Sequence, residues 1–316
     1  MFGSVFVGGG TPTLLAAEEL ARIVRRVGEV LPLADGAEVT VEANPETVDE
    51  AYFTVLAGAG VNRVSMGAQS FSKHVLDELG RWHERDRPLQ AVGAARRAGI
   101  GRVSLDLIYG APSETADDWE HTLDTALTAD IDHISAYALT VEPSTEYAAR
   151  IRQGTAFAPD EDVQADRMEA TDRRLAAAGF ARYELSNWAK PGSECRHNLT
   201  YWRNGNWLGL GAGAHAHWNG RRSWNLRPPG RYTSAMLAGE SAVAGEEFVT
   251  ADEQRTERLL LGLRMAEGVD RLDVEPLDQA QLASLVDAGL VLAGDRLQLT
   301  PAGWALANDV TVRLLA

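Results

Sequence analysis

Cysteine is almost missing from this chain: among 316 residues there is one, Cys195. A single thiol excludes an internal disulfide and gives no sign of an oxidising compartment. It also excludes a four-cysteine metal centre built from these residues alone. Lysine is scarce too, since of 30 basic residues only Lys73 and Lys190 are lysines. Acidic side chains number 45, and the formal charge of −15 disfavours broad contact with nucleic acid or an anionic membrane surface. Long apolar runs are lacking. Met1 to Gly10 is apolar but too short for a signal peptide, and no other stretch approaches the roughly 20 residues of a membrane helix. The chain reads as cytoplasmic.

What remains is ordinary for a globular protein, 45% apolar and 24% charged, with a length that suggests about two domains. Short β-branched runs at 4–7, 38–42, 63–67, 102–109, 133–141 and 181–186 are predicted strands. Between them, 18–31 carries Leu20, Val24, Val27 and Leu31 at helical spacing, and 117–129 does so with Trp119, Leu123, Ala126 and Leu127. This alternation predicts an α/β fold with parallel strands and right-handed crossovers, either a barrel or a doubly wound sheet. The apolar strands favour a sheet buried on both faces. Residues 1–189 form this first domain, and 190–249 is a Gly- and Trp-rich connecting region whose first part, to Gly230, reads as a large structured loop. From 250 to 316 the pattern is a helix to about 267, a helix over 279–288, two short strands around Ala293-Gly294-Asp295, and a helix from Pro301. That is a winged-helix-like α+β arrangement. Such domains often bind DNA, and the acidic balance argues against it here.

The first chemical signal is Gly8-Gly9-Gly10-Thr11-Pro12, which follows the first strand. Glycines there let backbone N–H groups approach a ligand, and a following helix N-terminus favours carboxylate or phosphate. The same run serves as a tight βα turn, and its spacing is neither a Walker loop nor a dinucleotide fingerprint. The run VFVGGGTPTLL is followed in order by VEANPE, RVSMGAQSF, LGRWH, SLDLIYGAP, HISAYALTVEP, HNLTYW and GLGAGAHA. This series resembles radical S-adenosylmethionine (SAM) proteins related to oxygen-independent coproporphyrinogen dehydrogenase. Within them, His197-Asn198-Leu199-Thr200-Tyr201-Trp202 is similar to the HNxxYW signature of the HemW type of heme chaperone.

The resemblance implies a partial (βα)6-type barrel lacking its first strand, followed by the small winged-helix-like domain. It implies SAM contacts at Gly9, Gly10 and Thr11 for the methionine end, at Glu42, Gln69, Arg81 and Asp106, and more loosely at Ala138. Strand ends are where parallel α/β folds bind ligands. Taken alone, Glu42 could cap a turn, Gln69 could be a loop residue and Arg81 a solvated charge. Asp106, flanked by Leu105 and Leu107, needs a partner. For heme, the implied residues are His197, Asn198, Tyr201 and Trp202, with Trp188, Trp207, Trp218 and Trp224 offering flat apolar surface nearby. A histidine beside Asn and Tyr also serves as an ordinary hydrogen-bonded structural residue. His215 and His217 read as structural rather than as a metal pair, and Cys195 is assigned no role.

The implied function is a heme chaperone that passes heme to an acceptor protein. The alternative is an oxygen-independent coproporphyrinogen III oxidative decarboxylase using a 5′-deoxyadenosyl radical, which HNxxYW disfavours. No residue is assigned a catalytic role. The family's CxxxCxxC loop, whose thiolates hold a [4Fe–4S] cluster, is absent from this sequence, so the cluster is expected only in a longer form; either that loop is encoded upstream, or this is a cluster-less relative that kept the fold. A barrel missing a strand would expose an edge and favour association. Homodimer formation accords with the family type.

Overall fold

The computed structural model describes residues 1–81 and 84–315. Backbone packing divides the chain into two units, Met1–His197 and the remainder from Asn198. The boundary lies inside the segment that sequence patterning reads as a connector.

The first unit opens with β1 (Phe2–Val7), α1 (Ala17–Val30), β2 (Leu33–Ala43), α2 (Glu50–Gly58) and β3 (Arg63–Gln69). It continues with α3 (Lys73–Glu78), α4 (Arg87–Arg97), β4 (Arg102–Tyr109), α5 (Ala116–Leu127) and β5 (His133–Ala138). It closes with α6 (Glu146–Arg152), α7 (Glu161–Ala177), β6 (Ala181–Glu184) and β7 (Asn187–Ala189). The strand order is β1-β2-β3-β4-β5-β7-β6, with β1 through β5 parallel, in a sheet curled into a half-barrel.

The helices start where capping chemistry allows. Thr115 accepts from the Asp118 N–H while the Asp118 carboxylate accepts from Thr115, a capping box that opens α5. Two strand ends differ from the predicted ones. β5 stops at Ala138 rather than 141 because its partner β4 ends opposite, at Tyr109. The run 181–186 does not continue as one strand. The Glu184 carboxylate accepts from the Ser186 N–H at 2.9 Å, and the chain turns into β7, which lies antiparallel to β5.

The strands are not apolar on both faces, as their composition suggested. They alternate. Val39, Val41, Val64, Met66, Val103, Leu105, Leu107, Ile134 and Ala136 point to one side and are buried in one core with Leu20, Phe53, Leu56, Val92, Trp119 and Leu123 of the helices. Glu38, Thr40, Glu42, Arg63, Ser65, Ser104, Asp106, His133 and Ser135 occupy the alternate positions on the other side.

A polar strand face inside a folded domain needs partners. At the N-terminal edge the chain supplies its own. Glu38, fully buried, lies 3.5 Å from the Arg63 guanidinium and 3.7 Å from that of Arg102. Its other oxygen accepts from the Cys195 thiol at 3.5 Å and the His197 backbone N–H at 3.3 Å. Arg63 also donates to the Ser193 carbonyl at 2.9 Å, and Arg102 to that of Gly192 at 3.0 Å. Segment 192–197 is thereby stitched to the starts of β2, β3 and β4.

The second unit takes over within α8 (Arg196–Trp202), a helix that starts in the first. It then holds β8 (His215–Trp218), β9 (Arg221–Asn225), α9 (Pro229–Ala238) and β10 (Val243–Phe248), an antiparallel sheet in the order β10-β9-β8. Sequence patterning read much of this as loop because RRSWN carries no apolar alternation and HAHW is only four residues long. The missed signal is Asn219-Gly220, whose φ values of +51° and +78° match a primed hairpin turn. After α10 (Ala251–Gly262) come β11 (Val269–Asp270), α11 (Gln279–Asp287), β12 (Val291–Ala293), β13 (Arg296–Leu299), α12 (Pro301–Trp304) and α13 (Ala307–Leu315). The predicted hairpin is present, with β11 added to it. The single helix expected from Pro301 is two helices. Among the described residues no helix is long and apolar enough to cross a membrane.

Removing one partner of a buried ion pair leaves an uncompensated charge. Arg63→Met is expected to lower stability by about 3 kcal/mol in urea unfolding, partly restored in the double variant with Glu38→Gln. A midpoint equal to wild type would show that Glu38 does not depend on this pair.

Candidate ligand-binding site

A cavity of about 570 Å³ opens at the C-terminal ends of β2, β3 and β4. Gly10, Thr11, Glu42, Gln69, Arg81 and Asp106 all line it, together with Asn44, Glu46, Ser65 and Gly67. Six of the eight expected SAM contacts therefore meet in one place. Gly9 adjoins it, because its N–H donates to the Glu42 carboxylate at 3.1 Å. Ala138 is not among the lining residues and sits at the end of β5, opposite Tyr109. Trp82 and His83 of the LGRWH motif lie outside the described residues.

The glycine loop does not lead straight into a helix as expected. A short 3-10 turn, Pro12–Leu14, intervenes, and α1 starts only at Ala17. The loop's role here is close approach. A Cβ on Gly8 would fall 2.9 Å from the Glu42 carboxyl group, so only glycine lets that carboxylate lie against the backbone. The Thr13 hydroxyl then fastens the loop to the exit of β2 by accepting from the Asn44 N–H at 3.1 Å.

Gln69 carries the strongest sign of a built site. Its φ is +63°, in the left-handed region that non-glycine residues avoid, and the only other non-glycine cases among the described residues are Asn204 and Asn219. Such strain costs on the order of 1–3 kcal/mol and persists where the surroundings demand it. Its side chain folds back over Gly67, where a Cβ would come within 2.6 Å of the Gln69 amide nitrogen.

Asp106 projects from the middle of β4, and the Ser65 hydroxyl of β3 lies 2.9 and 3.0 Å from its two oxygens. Burial pushes its carboxyl up to about 6. Hydrogen bonds from Ser135 and Ser65 oppose that rise, Glu42 adds to it and Arg63 offsets it. Ser65 and Gly67 were not singled out from the sequence. A count of two along β3 from Arg63 would have placed both on the polar face beside Asp106.

Three carboxylates (Glu42, Glu46 and Asp106) and the Arg81 guanidinium around a polar cavity suit a ligand carrying both ammonium and carboxylate groups, and the residues fit SAM on that ground. A [4Fe–4S] cluster does not fit the residues here. Among the described residues no three His, Cys, Asp or Glu side chains group around a metal position, and Cys195 is buried against Glu38 at the opposite sheet edge.

His197 belongs to that same opposite edge. Its Nδ1 is 3.0 Å from the Ser4 hydroxyl, and its ring stacks on Phe6 with centroids 5.0 Å apart. Burial lowers its imidazolium to about 4, so the ring is neutral at physiological pH. Asn198, Tyr201 and Trp202 belong to the second unit. There the Tyr201 ring meets Trp207 edge-on at 4.7 Å, and the Arg264 guanidinium lies 4.3 Å over Trp202. Within the first unit, His197 is thus not among the residues that line the cavity.

Residues 2–126 match the model of the radical SAM superfamily, and 249–306 that of the HemN C-terminal domain. The chain is 46% identical over 314 residues to the heme chaperone HemW of Mycobacterium tuberculosis, covering 99% of this chain and 80% of that protein. The chain belongs to the HemW family. The Bacillus subtilis HemW is 35% identical over 97% of this chain and 84% of its own length, and the Escherichia coli one 34% over 99% and 84%. In structure the chain resembles E. coli coproporphyrinogen III oxidase (HemN), with a TM-score of 0.83 at 22% identity over 99% of this chain and 77% of that one. That likeness confirms the α/β partial-barrel fold.

Two variants separate stability from binding in this cavity. Gln69→Gly is expected to leave stability equal or up to about 1 kcal/mol higher while weakening the ligand, because it relieves the strained backbone. A clear loss of stability would show that Gln69 stores none. Asp106 ionises above about 4 when unfolded and only above about 6 when folded, so it costs stability as pH rises between those values. Asp106→Asn is therefore expected to be more stable than wild type at pH 7.5 by about 1–3 kcal/mol, with the gap closing near pH 4. Parallel melting curves at both pH values would contradict the shift.

Proposed function

We propose that this chain is a heme chaperone, holding heme and passing it to an acceptor protein, with SAM bound in the cavity beside Glu42 and Asp106. The observation that carries the reading is the 46% identity to a heme chaperone HemW across 99% of the chain, with HNLTYW intact within it. His197, Asn198, Tyr201 and Trp202 are the proposed heme-contacting residues. Neutral imidazole is the form that can donate to heme iron, and the low protonation point of His197 keeps it in that form. The aromatic rings on and after α8 supply the flat apolar surface that a porphyrin needs.

SAM, when bound, brings a sulfonium with ammonium and carboxylate ends to the cavity. Glu42, Asp106 and Gln69 are proposed to accept from its donors, and Arg81 with the glycine loop to meet its carboxylate. The family's cluster is proposed to be held by residues other than those described here.

Absorbance titration of heme tests the chaperone reading. Wild type is expected to give a saturable Soret band and then lose heme to added apomyoglobin, and His197→Ala with Tyr201→Phe is expected to bind at least tenfold more weakly, roughly 1.4 kcal/mol. An unchanged spectrum and affinity in the double variant would remove the motif from the account. Decarboxylation of coproporphyrinogen under anaerobic conditions would favour the enzyme reading instead.

A further inference from the structure

Beyond the expected ligand contacts, the cavity is lined by a hydroxyl, that of Ser65, which is hydrogen-bonded to one of those contacts. We propose that Ser65 is a positioning residue, holding the Asp106 carboxylate in the rotamer that presents its outer lone pairs to a ligand in the cavity. The ligand side of this inference rests on the reading of that cavity as the SAM site.

The geometry is particular. Ser65 and Asp106 stand on neighbouring parallel strands and on the same polar face, with Asp106 registered against Gly67, two residues after Ser65. One hydroxyl is shared almost equally between both carboxylate oxygens, at 2.9 and 3.0 Å. A donor centred between two acceptors restrains the carboxylate plane, the Ser135 hydroxyl being its second partner, and leaves the remaining lone pairs to a ligand. The next position on that face, Gly67, also lines the cavity, and the Gln69 amide folds over it. Ser65 itself lines the cavity, so its hydroxyl is placed at a ligand-facing wall rather than in the apolar core.

The carboxylate's other neighbours set what losing that hydroxyl would do. Glu42 of β2 faces it with like charge, Arg63 of β3 with opposite charge, and Ser135 and Tyr137 approach from β5. Burial already disfavours the charged form. The Ser65 bond acts the other way, so without it Asp106 turns more easily and holds its proton to higher pH.

The test uses the full chain as Ser65→Ala and Ser65→Thr, with the Asp106 carboxyl followed by carbon-13 NMR of aspartate-labelled, ligand-free protein. The resonance is identified by its absence in Asp106→Asn. Ser65→Ala is expected to move the Asp106 titration to higher pH, and Ser65→Thr, which keeps a hydroxyl, to return it to the wild-type position. SAM affinity by calorimetry is expected to fall about tenfold in Ser65→Ala at pH 6, and by less at pH 8 where the carboxylate ionises in either protein. An Asp106 titration indifferent to Ser65→Ala would overturn the proposal. So would a loss of affinity of equal size at both pH values. If wild type itself fails to bind SAM, the cavity assignment falls while the titration still decides the role of Ser65.

Discussion

The two-residue period of five parallel strands governs this molecule. Because side chains alternate across a strand, Val39, Val41, Val64, Leu105 and Ile134 turn to the helices while Glu38, Glu42, Arg63, Ser65, Asp106 and His133 turn the other way. The first set drives folding through apolar burial. The second creates an obligation, since a charged or hydroxylated face enclosed by a curled sheet must be hydrogen-bonded. The chain meets that obligation differently at its two edges. At the strand starts, residues 192–197 return to bond Glu38, Arg63 and Arg102. At the strand ends, Glu42, Gln69 and Asp106 border a cavity instead.

That cavity is held in an unfavourable state by the rest of the fold. Gln69 sits in a backbone region its type avoids, and Asp106 carries a carboxyl that burial discourages from ionising. Each costs on the order of 1–3 kcal/mol, a sizeable part of the margin of 5–15 kcal/mol that folded domains have. The close-packed face opposite, with Trp119, Phe53 and Leu105 among its fully buried side chains, is what makes such local cost tolerable. Preorganised polar groups are then ready for a charged ligand without rearrangement.

The HNxxYW motif answers to a different part of the structure. Its histidine is tied to β1 through Ser4 and Phe6, and its backbone to Glu38, while Tyr201 and Trp202 pack within the second unit. The motif is therefore the joint at which one unit gives way to the next, on a single short helix.

Much was legible in the residues themselves. β4 is found at its predicted limits, and Gly10, Thr11, Glu42 and Gln69 each belong to a short motif at a strand exit, while Arg81 follows α3 and Asp106 stands within β4. Local pattern is enough there, because strand exits are punctuated by glycine, proline and a change of period. The hairpin at Asn219-Gly220 was also written locally, though its strands are too short, and the second too polar, to draw attention to it. Other features have no local signature. The Glu38–Cys195 contact joins residues 157 apart in the chain, and the turn into β7 reverses what a run of β-type residues implied. Residue type and spacing determined which segments become strands and which groups carry charge. Only the folded sheet decided which of those groups share a wall, because register between strands is set by packing the apolar face, and the polar face simply follows.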